Sequence, residues 1–170
     1  MKQLILIRHA KAVEATGFED DHERPLRSRG CRAAAELGAQ LEATPPDLIL
    51  CSTASRTRQT VACATGGWKH APPIRFERGL YLVSAARLLR HLELIEPEIG
   101  SAWLVGHNPG IHDLARQLAS RATGAAEFPE LMQRFPTAAR AVFAIDADRW
   151  RDLVHARLEL LDFVLPSGES

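Results

Sequence analysis

Short, unbroken apolar runs separated by stretches of helical periodicity set the pattern of this chain. Leu4-Ile5-Leu6-Ile7, Leu48-Ile49-Leu50-Cys51 behind Asp47, and Ala102-Trp103-Leu104-Val105 carry no polar face. Such runs read as strands covered on both sides, the kind found in parallel sheets. Residues 30–43 are rich in helix formers and stop at Pro45-Pro46. Residues 54–64 put Thr57, Val61 and Ala64 on one side of a second helix. Ser84 is an N-cap for a third, reaching residue 95, with Leu88, Leu89 and Leu92 as its stripe. Pro109 suits the first turn of a fourth, reaching about residue 119. Residues 12–29 are polar and turn-rich and predict a loop. Pro72-Pro73 breaks the chain before a short strand at 74–76, and residues 123–136 are irregular. Residues 141–145 and 153–160 read as two last strands joined by a turn over 146–150. Strand and helix therefore alternate. The expectation is an α/β protein, a single-domain three-layer α/β/α sandwich with a mostly parallel central sheet. The domain is expected over residues 1–165, with a tail at 166–170.

Charge and cysteine usage narrow the setting. Lys+Arg and Asp+Glu both number 21 in the 170 residues, so no global field collects nucleic acid or anionic membrane. The first apolar run meets Arg8 too soon for a signal peptide, and no apolar stretch has the length of a membrane span. Cys31, Cys51 and Cys63 are odd in number and form no CxxC pair, which predicts reduced thiols. The expected location is cytoplasmic, without nucleic-acid or membrane partners. Any anion site must then be built locally.

In open α/β sheets, ligands bind beyond the carboxyl ends of the strands. The first strand is followed by Arg8 and His9, the second by Ser52 and then Arg56, and the strand at 102–105 by Gly106, His107, Asn108 and Pro109. Three strand ends thus deliver two arginines and two histidines, with no carboxylate at those positions. Guanidinium forks match phosphate oxygens. Phosphoryl transfer needs charge stabilisation and an aligned attacker. A histidine nucleophile must be neutral, and nearby cations lower its pKa. Gly106 permits close backbone approach, and the helix start at Pro109 lends its positive end. Taken singly, Arg8-His9 reads as solvated, His107 as a capping histidine and Arg56 as a surface residue; their joint placement argues for a site. No metal is expected, because carboxylate and Cys partners are missing and two arginines repel a cation. Lys11 and the arginines around 24–32 read as solvated. His22, His70, His91, His112 and His155 read as surface or edge residues, and Trp68, Trp103 and Trp150 as packing.

These residues resemble the signatures of the histidine phosphatase superfamily, with its phosphoglycerate-mutase-like fold. Leu6-Ile7-Arg8-His9-Ala10 is similar to the first motif of that family, Ser52 through Thr60 to the second, and Val105-Gly106-His107-Asn108 to the third. Arg24-Pro25-Leu26 followed by Arg29-Gly30 resembles the segment before the family's first helix. The resemblance implies that His9 becomes phosphohistidine and that Arg8, Arg56 and His107 form the phosphate pocket. Ser52 and Asn108 would be extra hydrogen-bond donors. It implies no cofactor. Longer members carry a lid and an acid that protonates the leaving group; here the acid position falls near Leu82, with Glu77 close but early. A short chain without an acid resembles the phosphohistidine phosphatase branch. The expected substrate is a phosphorylated protein such as a phosphotransfer domain. The alternatives are a small phosphorylated metabolite with Glu77 as acid, and a non-catalytic phosphate-binding module.

Overall fold

The computed structural model describes residues 1–17 and 20–168. Phe18 and Glu19, in the expected loop, and Glu169 and Ser170, in the expected tail, lie outside the described residues. The strands are β1 (Lys2–Arg8), β2 (Leu48–Ser52), β3 (Ile74–Glu77), β4 (Ser101–Gly106), β5 (Ala122–Thr123), β6 (Arg140–Asp146) and β7 (Arg157–Val164). They form one sheet in the order β3-β2-β4-β1-β6-β7-β5, in which β6 alone runs against its neighbours. Four helices complete the layers: α1 (Ser28–Leu41), α2 (Ser55–Thr65), α3 (Ala85–Glu93) and α4 (Gly110–Ala119).

Alternation along the apolar runs explains the three layers. Leu4, Leu6, Leu48, Leu50 and Leu104 point to one face, where they bury Leu88 and Leu92 of α3 and Ile111 and Leu114 of α4. Ile5, Ile7, Ile49, Cys51, Trp103 and Val105 point to the other, onto Leu37 and Leu41 of α1 and Val61 and Ala64 of α2. Each strand is apolar at every position because helices cover both of its faces. The tryptophans pack as expected: Trp103 and Trp150 are buried, and Trp68 meets Trp103 edge-on at 5.5 Å. Ser84 caps α3 by accepting from the Arg87 amide at 3.4 Å.

Three expectations are corrected. The first is the thiols. Cys31 on α1 and Cys63 on α2 are joined by a disulfide, with Cα atoms 5.5 Å apart, inside the bridging range. The cause is close helix packing: a Cβ on Gly38 of α1 would stand 1.8 Å from the Ala64 carbonyl oxygen of α2. Cys51 remains a free thiol, and burial pushes it up to about 12. The second is the last strand, which starts at Arg157 rather than 153. Residues 150–156 wind through a 3-10 helix, Trp150–Asp152, and a turn in which the Asp152 carbonyl accepts from the His155 and Ala156 amides. Leu153 is fully buried from that turn, so its apolar character marks core contact and not a strand. The third is the loop at 12–29. It folds back through an Ala12–Leu26 bridge, contains the 3-10 helix Asp21–Glu23, and yields to α1 at Ser28.

The α1–α2 contact gives a test. Gly38→Ala should lower stability by roughly 1–3 kcal/mol, since the overlap is with backbone and outweighs the better helix propensity of alanine. Urea unfolding measures it, with Gly67→Ala as control, where an added Cβ meets nothing within 4 Å.

Candidate active site

Strand register brings the sequence-predicted residues onto one level. Ile7 pairs with Val105 and Cys51 with Val105, so Arg8, Gly106 and Ser52 follow on the next rung of three adjacent strands. Arg8 itself pairs with Gly106, and the His9 amide donates to the Gly106 carbonyl at 3.0 Å. His9, Ser52, Arg56 and His107 are all buried, at 7, 0, 2 and 3% exposure. The His9 and His107 rings lie 5.4 Å apart. α2 supplies Arg56 and also steadies the histidine loop, because Thr60 Oγ1 accepts from the Ala10 amide at 2.9 Å.

Hydrogen bonding fixes which ring nitrogen of His9 can react. Its Nδ1 stands 2.8 Å from the Ala10 carbonyl oxygen, which can only accept. A neutral His9 therefore carries its proton on Nδ1 and keeps a lone pair on Nε2. Burial pushes the His9 pKa down to about 3; the Ala10 hydrogen bond works the other way, while Arg8, Arg56 and Arg24 lower it further. Neighbouring cations were the expected cause, and burial is the larger one. His107 is pushed down to about 2, again by burial first, then by His9 and Arg56. Its Nε2 meets Ser52 Oγ at 2.8 Å, and its Nδ1 is buried without a partner. Arg8 Nε and Arg56 Nε are likewise buried and unpartnered. Buried donors of this kind are rare and ask for an acceptor. The two arginine Nε donors, joined by His107 Nδ1 when Ser52 Oγ donates to its Nε2, suit the oxygens of a phosphoryl group.

Sequence reasoning missed one carboxylate. The side-chain Nη2 of Arg56 donates to Asp21 Oδ2 at 3.0 Å and its Nη1 to the Asp21 carbonyl at 2.8 Å. The Tyr81 hydroxyl donates to the same Oδ2 at 2.6 Å, and Arg24 donates to Oδ1 at 3.2 and 3.0 Å. The Tyr81 bond above all, then Arg24 and Arg56, hold the Asp21 carboxyl well below the usual carboxylate range. Each terminal nitrogen of Arg56 spends one of its two N–H donors on Asp21, and its Nε has no partner among the described residues. Tyr81 also sets its ring edge against His107 at 5.4 Å and against His22 at 4.9 Å. His22, expected at the surface, bonds Thr53 Oγ1 at 2.8 Å on the rim of the site. The available signal was the Asp21–Arg24 spacing, but nothing in the sequence says that the loop folds back over α2.

Two more residues named from the sequence are placed at the edge of this arrangement. Asn108 gives its side-chain amide to the Phe135 carbonyl at 2.8 Å, a carbonyl that Arg8 Nη1 also reaches at 3.2 Å. Glu77 ends β3 opposite Ser52, and among the described residues no hydrogen bond or ion pair ties it to the pocket.

Two tests follow from this geometry. Asp21→Asn removes the negative charge that offsets Arg56 and should tighten binding of inorganic phosphate, by up to about tenfold at low salt; calorimetry measures it, with Asp20→Asn as the comparison. The pH behaviour of His9 has a definite sign. Its pKa is lowered, so the ring stays neutral as pH falls from 8 to 5. Imidazole NMR shifts of His9 in the free protein should be flat over that interval, while an ordinary histidine titrates near 6.5.

The likeness to known proteins agrees with the site. Residues 4–81 match the family model of the histidine phosphatase superfamily (branch 1). The uncharacterized protein Rv1276c of Mycobacterium tuberculosis is 36% identical over 163 residues, 94% of this chain and 99% of that protein. The candidate phosphohistidine phosphatase SixA of Nakamurella multipartitia superposes with a TM-score of 0.84 at 29% identity, covering 98% of this chain and 97% of its own. Its counterpart from Agrobacterium tumefaciens gives 0.78 at 29%, covering 97 and 98%. The chain belongs to the histidine phosphatase superfamily and is a phosphatase of that group.

Proposed function

We propose that this protein hydrolyses protein phosphohistidine through a phosphoryl intermediate on His9, with residues 1–165 as the phosphatase domain. Arg8, Arg56 and His107 hold the phosphoryl oxygens through the donors that have no partner within the protein. Ser52 orients His107, and Asn108 acts through the Phe135 carbonyl that it shares with Arg8. In the first step His9 Nε2 attacks phosphorus, and the bond from phosphorus to the substrate nitrogen breaks, its electron pair staying with that nitrogen. In the second, water attacks the phosphorylated His9. The phosphorus–Nε2 bond breaks with its electron pair returning to Nε2, phosphate leaves carrying both of the water's protons, and neutral His9 returns with its proton still on Nδ1.

The observation that carries the choice of substrate is the state of Asp21. It is the carboxylate bonded into the pocket, and its three donors keep it ionised. An ionised carboxylate cannot protonate a leaving group. An alkyl phosphate would have to expel an alkoxide without help. The imidazole of phosphohistidine departs as a neutral ring once its other nitrogen carries a proton. The names of the two superposed SixA structures support the same reading. A cytoplasmic location goes with it; no helix among the described residues is long and apolar enough to cross a membrane. In that compartment the Cys31–Cys63 bridge would belong to the redox-responsive class.

The test is a panel of phosphohistidine, aryl and alkyl phosphates, with a quench at alkaline pH that preserves phosphohistidine. Phosphohistidine should be the efficient substrate, label should appear on His9, and His9→Ala should lose roughly 10⁴-fold or more of the rate. Efficient alkyl turnover that disappears in Glu77→Gln would replace this reading with a metabolite phosphatase. Binding without phosphate release would make the protein a recognition module.

A further inference from the structure

Outside the phosphate pocket, a cavity opens next to the segment that carries His9. It holds about 310 Å³ and is lined by Lys11, Arg29, Ala33, Thr137, Ala138 and Ser167. Its back wall belongs to the catalytic loop: the Ala138 amide donates to both the Arg8 and His9 carbonyls at 3.1 Å. Ala138 holds that position with a φ of 62°, in the left-handed region that alanine seldom adopts.

The charges around it are unevenly matched. Arg24 has Asp21, Arg27 has Glu14, and Glu36 farther along α1 accepts from the Ser167 hydroxyl at 2.5 Å. Lys11 and Arg29 line one cavity, yet neither forms an ion pair or side-chain hydrogen bond among the described residues. The backbone of Lys11 is nonetheless fixed. Its carbonyl accepts from the Arg27 amide at 2.9 Å, and a Cβ on Gly30 would come within 2.1 Å of that oxygen. Two cations share a concavity on a firm base, in a chain whose formal net charge is zero.

We propose that Lys11 and Arg29 form a docking subsite for carboxylates on the phosphoprotein substrate, beside the phosphohistidine that enters the catalytic pocket. The inference rests on the phosphohistidine reading given above. Lys11 is two residues from His9, so the two Cα atoms are at most about 7 Å apart. That span fits a phosphorylated side chain and an acidic neighbour on one protein surface. A carboxylate there leaves the chemistry at His9 untouched and acts on binding, which is how rim charges act.

Two phosphohistidine peptides, identical except for flanking Glu or Gln, test the subsite, with free phosphohistidine as a small control substrate. The wild-type protein should prefer the Glu peptide by about tenfold, through KM with kcat unchanged, the sum expected of two exposed ion pairs. Added salt should erode the preference. Lys11→Glu with Arg29→Glu should abolish or invert it while leaving turnover of free phosphohistidine intact. Equal KM for the two peptides, or a preference that survives the double reversal, would overturn the subsite. Failure of the wild-type protein on all three substrates would instead overturn the phosphohistidine reading on which it rests.

Discussion

Two guanidinium groups held beside two imidazoles, mostly out of water, are the constraint on which the site is built. Burial and then Arg56 lower the pKa of Arg8, and both arginines act on His9. Against them stands one bonded carboxylate, Asp21, which neutralises Arg56 and is shared with Arg24. Among the described residues Arg8 bonds through its side chain to the Phe135 carbonyl alone. The pocket is therefore short of negative charge by about the amount a phosphoryl group carries. The imidazoles do not add to the positive charge, because burial keeps both neutral.

The sheet is what makes this arrangement possible. Parallel β1, β2 and β4 end on a common level, so residues distant in sequence emerge together. β6 runs the opposite way, and the chain entering it crosses those ends. Residues 135–138 thus become a wall. The Phe135 carbonyl is gripped by Arg8 and Asn108, and the Ala138 amide grips the Arg8 and His9 carbonyls. Asn108 is thereby tied to the wall through its side-chain amide.

What could be read in advance follows the range of the interactions. Runs such as Leu4 to Ile7 declare their burial locally, and residues that follow a buried strand are placed by the sheet rule, so Arg8, His9, Ser52 and His107 were legible. Asp21, Tyr81 and His22 were not, because their roles depend on contacts 35, 60 and 31 residues away. The Cys31–Cys63 bridge was hidden for the same reason: it depends on Gly38 letting α1 settle against Ala64 of α2, and thiol spacing does not record that. Leu153 misled in the other direction, since a buried turn and a buried strand look alike over a few residues.

Burial also limits what the pocket can recognise. With His9, Arg56 and His107 almost closed to solvent, the donors reach a phosphoryl group and little beyond it. Every phosphorylated compound presents that same group. Discrimination must then come from the leaving group's ability to depart without a proton, and from charges outside the pocket. The first bears on Asp21, whose bonds from Tyr81, Arg24 and Arg56 hold its carboxyl ionised. The second would fall to Lys11 and Arg29, which have no ion-pair partner among the described residues and line a cavity beside the His9 segment. Both selections act without altering the donors that hold the phosphoryl group, so one superfamily pocket can serve different substrates through its surroundings.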